Sequence, residues 1–422
     1  MNAHARTARF VALGCVIFLL AGCIGPLSGL NRFNPFSAGD KPREGEDSES
    51  SGPADLVDFV PEVQLDRIWS RKVGRGLGKK YIEIVPAIVE DRVLVADAYG
   101  TVMALNRLDG EVFWKTRVGR PDSKGLFDVN NRSDPSFVAG GIGVGEGLLF
   151  LGTVRGDIIA LDIGDGKEIW RTQLSGEILS PAVADQGIVA VQTSDGKLYA
   201  LEVASGDVRW VFDTQDPILT LRGTGYPVIE RNHVFAGFAN GLVASVEIES
   251  GFPAWEQRIA LPEGTSELER MVDVDGRPLV MESVVYAVSH QGKLRAMSRA
   301  DGSILWEKDE PSHHSLAEGY DLLFVVRDDD VVVAAEQNGG SEVWRQDALF
   351  KRELSDPLAY SNYLIMGDDK GYVHVLAQSD GRMLGRARHG KSLRSPMIEE
   401  RGVVYAMNRK GRLAAFRISR IE

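Results

Sequence analysis

All seven tryptophans of this 422-residue chain fall in one local pattern, and that pattern restricts the fold more than any other feature. Counting forward from a glycine, a small residue stands four places on, a second Gly ten places on and Trp fourteen places on. Gly100/Ala104/Gly110/Trp114 is one copy, followed by Gly156/Ala160/Gly166/Trp170, Gly196/Ala200/Gly206/Trp210 and Gly241/Ser245/Gly251/Trp255. Gly292/Ala296/Gly302/Trp306 continues the series, and a variant starts at Asp330 with Ala334, Gly340 and Trp344. In a seventh copy, Gly371/Val375/Gly381, Gly385 stands where Trp is due, and an eighth, Gly411/Ala415, runs off the C-terminus. The remaining tryptophan is Trp69, and Ile68-Trp69-Ser-Arg-Lys-Val-Gly74 matches Phe113-Trp114-Lys-Thr-Arg-Val-Gly119 almost residue for residue.

Short apolar runs such as Val93–Ala96, Leu148–Leu151, Ile188–Val191 and Val403–Ala406 recur within each interval, which fits four short strands per repeat. One four-stranded sheet cannot bury both of its faces, whereas sheets stacked radially cover one another and leave only short edges. The expectation is an all-β chain: an eight-bladed β-propeller of four-stranded antiparallel blades. An N-terminal strand around Trp69 would supply what the truncated eighth repeat lacks and close the ring. The Asp-Gly and Ser-Gly pairs (Asp109-Gly110, Asp165-Gly166, Ser205-Gly206, Asp301-Gly302, Asp380-Gly381) read as hairpin turns with Gly at positive φ. Trp is expected to fill the space between blades, with one N–H to satisfy. The small residue is expected to admit close approach near the axis, and Gly385 to leave a weaker contact between blades.

Arg6 and Arg9 precede an apolar run, Phe10–Leu20, that ends in Leu20-Ala21-Gly22-Cys23. Such a segment is too short for a permanent span and reads as a secretory signal over residues 1–22. Its ending resembles a bacterial lipobox, which implies that Cys23 becomes the acylated first residue of the mature chain. Ile24 follows, and not the Asp that resembles an inner-membrane retention signal, so the outer membrane is the expected destination. Residues 23–61 are polar and turn-rich, the composition of a flexible tether, and residues 62–422 would form the propeller. The only other cysteine, Cys15, lies in the signal, so no disulfide is expected.

The formal charge is −12, and loss of the signal leaves 46 basic against 60 acidic residues. An acidic body is a poor partner for nucleic acid or an anionic membrane face. No Gly-x-Ser-x-Gly elbow, phosphate loop or closely spaced histidine pair of the His-x-x-x-His type occurs. His313-His314 reads as a solvated loop, and Asp328-Asp329-Asp330 and Asp368-Asp369 as solvated tips, so no metal site is expected.

The repeat resembles that of the pyrroloquinoline-quinone dehydrogenases, which are eight-bladed and periplasmic. That resemblance makes a quinone-dependent dehydrogenase the alternative function. Such an enzyme would carry a calcium site with a catalytic Asp and, in many members, a vicinal disulfide. The chain lacks the cysteines and a matching Asp–Asn–Glu set, so neither cofactor nor catalytic residue is expected. A generic periplasmic binding propeller is a further alternative.

Two segments in neighbouring repeats break the pattern: Asp216-Pro-Ile-Leu219-Thr-Leu221-Arg222-Gly223 and Glu267-Leu-Glu-Arg270-Met-Val-Asp273-Val-Asp275. With the lipobox and the eight repeats, they resemble the BamB family of outer-membrane assembly lipoproteins. The resemblance implies a non-enzymatic scaffold on the periplasmic face of the outer membrane. It would bind the POTRA domains of a BamA-like barrel protein and assist unfolded outer-membrane proteins to fold and insert. It also implies that Leu219, Leu221 and Arg222 in the first segment, and Asp273 and Asp275 in the second, contact that partner. Two leucines would supply an apolar anchor and Arg222 a forked donor. The two aspartates alternate on an extended segment and would point the same way, toward the partner or Arg222.

Overall fold

The computed structural model describes residues 52–78, 84–119, 137–214, 225–261, 265 and 271–422. They form eight sheets, each of four antiparallel strands. Blades one to seven span residues 87–117, 138–173, 183–213, 228–258, 279–308, 317–346 and 358–388. Within each of these the four strands pair in chain order. The first strands of most neighbouring blades touch one another, which places them around the hub. The second and third strands are almost wholly buried, as in Arg92–Ala96 and Thr101–Asn106. Each fully buried Val or Leu there contributes about 1.5–3 kcal/mol. The outer strands are far more exposed, as in Val112–Arg117.

Blade eight closes the ring. Its inner three strands are Ile398–Glu400, Val403–Asn408 and Arg412–Arg420, and its outer strand is Val63–Lys72 from the other end of the chain. Pairing runs from Val63 opposite Arg420 to Lys72 opposite Arg412, with an irregularity between Arg67 and Trp69. Trp69 thereby lies opposite Ala415, the small residue of the truncated repeat.

The repeat positions form a relay from blade to blade. Each Trp stands on an outer strand opposite the small residue of its own third strand: Trp114 opposite Ala104, Trp170 opposite Ala160, Trp255 opposite Ser245. The small residue therefore makes room for an indole on the neighbouring strand, and its place is the third strand rather than the axis. The indole in turn lies on the turn glycine of the next blade. A Cβ on Gly110 would sit 2.6 Å from the Trp69 ring, and one on Gly206 2.5 Å from Trp170. These turn glycines have φ near +70°, for example +71° at Gly110 and +74° at Gly206, so the position is doubly closed to other residues. Each indole N–H donates to a backbone carbonyl across the gap: Trp69 to Arg107, Trp170 to Val203 and Trp210 to Ile248, at 3.0, 2.7 and 2.7 Å.

Gly385 departs from the relay because of the closure. In blade eight the third and outer strands come from opposite chain ends, so no turn glycine exists for a tryptophan to cover. Val63 fills the place instead. A Cβ on Gly385 would lie 2.7 Å from the Val63 carbonyl oxygen and 2.8 Å from its side chain. Opposite Gly385 stands Val375, where other blades have a small residue. The contact expected to be weak is thus repacked with Val63, Val375, Ala377 and Leu384. Glu62 N–H donates to the Leu384 carbonyl, and Arg382 pairs with the Glu62 carboxylate at 3.0 Å.

Residues 54–61, grouped with the tether in the sequence reading, lie along blades six and seven. Ala54 N–H donates to the Phe350 carbonyl and its own carbonyl accepts from Arg352. Phe59 packs on the cluster containing Trp344 and Met383, and the Arg386 guanidinium lies 5.0 Å from its ring centre. Ordering is also seen at two of the expected acidic tips. Asp330 is buried and accepts from the N–H groups of Glu353 and Leu354 at 2.7 and 2.9 Å. Asp368 is fully buried, bound by Arg352 and His374 at 2.6 and 3.0 Å. Both are internal acceptors, and burial makes their hydrogen bonds costly to lose.

Candidate partner-binding face

The connections from the outer strand of one blade to the first strand of the next emerge on one face of the ring. Residues 271–278 belong to the connection between Pro253–Arg258 of blade four and Leu279–Val280 of blade five. Met271, Val272 and Val274 are buried, and Val274 packs with Phe235, Trp255 and Val285 in the seam between these blades. Gly237 is required beneath it, because a Cβ there would meet the Val274 side chain at 2.4 Å. An extended segment with Val274 turned inward sends its neighbours to the other side.

The two aspartates differ in depth. Asp273 is fully buried, and its carbonyl accepts the His290 N–H at 2.9 Å. Asp275 is partly exposed. Burial, reinforced by the charge of Asp273 and opposed by His290, pushes the Asp275 carboxyl up to about 8. Asp273 is therefore a group behind the surface, while Asp275 stands at its edge.

Leu219, Leu221 and Arg222 lie outside the described residues, as does Cys23. The flank of their segment is defined at Gly225. Its carbonyl accepts from the Ser180 hydroxyl at 3.0 Å, and a Cβ on it would lie 2.9 Å from the Val274 carbonyl oxygen. Gly225, two residues beyond the first segment, thus abuts the backbone between Asp273 and Asp275. Sequence spacing offered no sign of this approach, since the two positions are 49 residues apart in the chain.

Sequence reasoning also missed His290. It lies in the turn between the second and third strands of blade five, beside Asp328 of blade six and His313 of the connection between those blades. His314 belongs to a separate pair, its Nδ1 lying 2.9 Å from Asp356.

A closed ring of eight four-stranded sheets, with Gly225 set against Val274 between neighbouring blades, defines an eight-bladed β-propeller. The chain matches the family described as "Outer membrane protein assembly factor BamB" over residues 65–131, 123–346 and 328–420. It is 41% identical over 367 residues to the outer membrane protein assembly factor BamB of Pseudomonas aeruginosa, covering 87% of this chain and 92% of that one. The crystal structure of BamB from Moraxella catarrhalis superposes with a TM-score of 0.74 at 24% identity, covering 84% of this chain and all of that one. The quinohemoprotein alcohol dehydrogenase of Comamonas testosteroni reaches 0.64 at 13% identity over 86% of this chain and 78% of that one, a likeness of fold alone. The chain belongs to the BamB family of outer membrane protein assembly factors.

Proposed function

We propose that this protein is a non-enzymatic scaffold lipoprotein of the outer-membrane β-barrel assembly machinery. It binds the POTRA domains of a BamA-like core subunit and assists the folding and insertion of outer-membrane proteins. The observation that carries this reading, beside family membership, is the approach of Gly225 to Val274. That approach brings the flanks of two otherwise separate irregular segments to one place on the ring. Leu219 and Leu221 supply the apolar anchor, Arg222 the forked donor, and Asp275 the group at the rim. Asp273, fully buried in the chain, lies behind that surface.

The signal over residues 1–22 is removed, Cys23 is acylated, and the chain up to about residue 53 tethers the propeller to the periplasmic face of the outer membrane. Co-purification of the BamA-like subunit with the tagged lipoprotein tests the assignment. The triple variant Leu219→Ala, Leu221→Ala, Arg222→Ala should lose the partner while keeping the wild-type circular dichroism spectrum. Retention of the partner by that folded variant would remove the first segment from the interface.

A further inference from the structure

We propose that His290, His313 and Asp328 form a binding site for a divalent transition metal of the zinc class, bridging blades five and six. The His290 Nδ1 lies 2.9 Å from Asp328 Oδ2, and the His313 Nδ1 lies 2.8 Å from Asp328 Oδ1. All three ligand atoms fall within 4.8 Å of one another. Zinc binds imidazole nitrogen and carboxylate oxygen at about 2.0–2.2 Å, so its ligand atoms stand roughly 3.3 Å apart around a tetrahedron. Each of the two nitrogen–oxygen gaps to Asp328 needs to open by about 0.5 Å to admit the ion. His313 is exposed, which leaves a route from solvent and a place for water as a fourth ligand.

The propeller repeat supplies an internal control on whether these residues are architectural. His290 and Asp328 occupy the same position of their repeats, and the N–H of each donates to the connection entering its own blade, at Asp273 and Pro311. In other blades the same backbone bond is made by Ala98, Ser194, Asp369 and Arg409. At Ala98, Ser194 and Arg409 the turn forms with neither imidazole nor carboxylate, so the fold does not demand the pair found here. His313 likewise holds the place in its connection that Asp275 holds one blade earlier, two residues beyond the carbonyl acceptor.

The surroundings suit a cation. The charge of Asp273 also reaches His290, adding to the negative field of Asp328. The Gln291 side-chain amide lies 3.1 Å from His290 Nε2; a half-turn that presents its oxygen lets it accept the Nε2–H and leaves Nδ1 for the ion, as outer partners of metal-bound histidines do. Three single ligands drawn from three segments, with intervals of 23 and 15 residues, make no local motif. Imidazole with carboxylate selects zinc-like ions over magnesium or calcium, which prefer all-oxygen sites.

The test uses the mature propeller with any polyhistidine tag removed, stripped with EDTA and titrated calorimetrically with zinc chloride. One ion per chain is expected. His290→Gln and His313→Gln should each weaken binding by at least ~100-fold, more than the loss of an outer partner causes. His314→Gln should leave it unchanged. In wild-type protein, nitrogen-15 histidine spectra should show two imidazoles shifting on loading, a readout that needs no variant. The absence of saturable one-to-one binding would overturn the proposal, as would full binding by both ligand variants.

Discussion

Replacing Gly206 with Ala should destabilise the propeller markedly more than replacing Gly187 with Ala. Both glycines have positive φ, +74° and +79°, so the backbone cost of about 1–2 kcal/mol is common to both variants. Their surroundings differ. A Cβ at Gly187 meets nothing within 4 Å, whereas one at Gly206 would sit 2.5 Å from the Trp170 ring and 2.7 Å from the Thr172 hydroxyl. The indole cannot simply retreat, because its N–H donates to the Val203 carbonyl at 2.7 Å in the same seam. Forcing an atom into such a contact costs about 1–3 kcal/mol. For a body of about 370 residues the unfolding entropy makes 1 kcal/mol roughly 1.3 °C of melting temperature. Gly206→Ala should therefore melt about 1–4 °C below Gly187→Ala in calorimetric scans at one protein concentration. Equal midpoints would refute the claim that turn glycines exist to seat the preceding blade's tryptophan.

Trp69→Ala should cost about 3–5 kcal/mol and also speed proteolytic release of the N-terminal strand, because this residue joins the two chain ends. Trp210→Ala, in an internal seam, should match the stability loss without the release, as followed by mass spectrometry of digests. Acid should weaken blade seven. Burial holds the His374 pKa below its ordinary value. Burial opposes charge on Asp368, but bonds led by that from His374 outweigh it and hold its carboxyl low. The unfolded chain then binds more protons as pH falls below about 6.5, and again near the carboxylate range, so stability should drop from pH 7 downward. His374→Gln should flatten the upper part of that profile, and an unchanged slope would discount this histidine. Asp330→Ala strands the N–H groups of Glu353 and Leu354 and should lower stability by about 1–3 kcal/mol, read in the same melts.

Much of the architecture was legible because its signals are local and repeated. A Gly–small–Gly–Trp cadence announces a turn, a cross-strand pair and a seam within fifteen residues, and eight copies leave little freedom of topology. The matching contexts of Trp69 and Trp114 likewise announced the closure. The reading erred where a local rule met a non-local partner. Asp330 and Asp368 look like solvent-facing tips in sequence, yet each is held by a connection some 16 to 24 residues away. Gly385 looked like a defect, and it is the complement of Val63 brought from more than 300 residues away.

From the chain alone came the number of blades, the way the ring seals, the seating of indoles, and the segments that depart from the repeat. Those properties depend on spacing that every copy restates. Folding settled what no copy contains: the depth of Asp273, the approach of Gly225 to Val274, and the gathering of His290, His313 and Asp328. Each of these joins different blades or connections, so its geometry exists only after the blades have packed side by side.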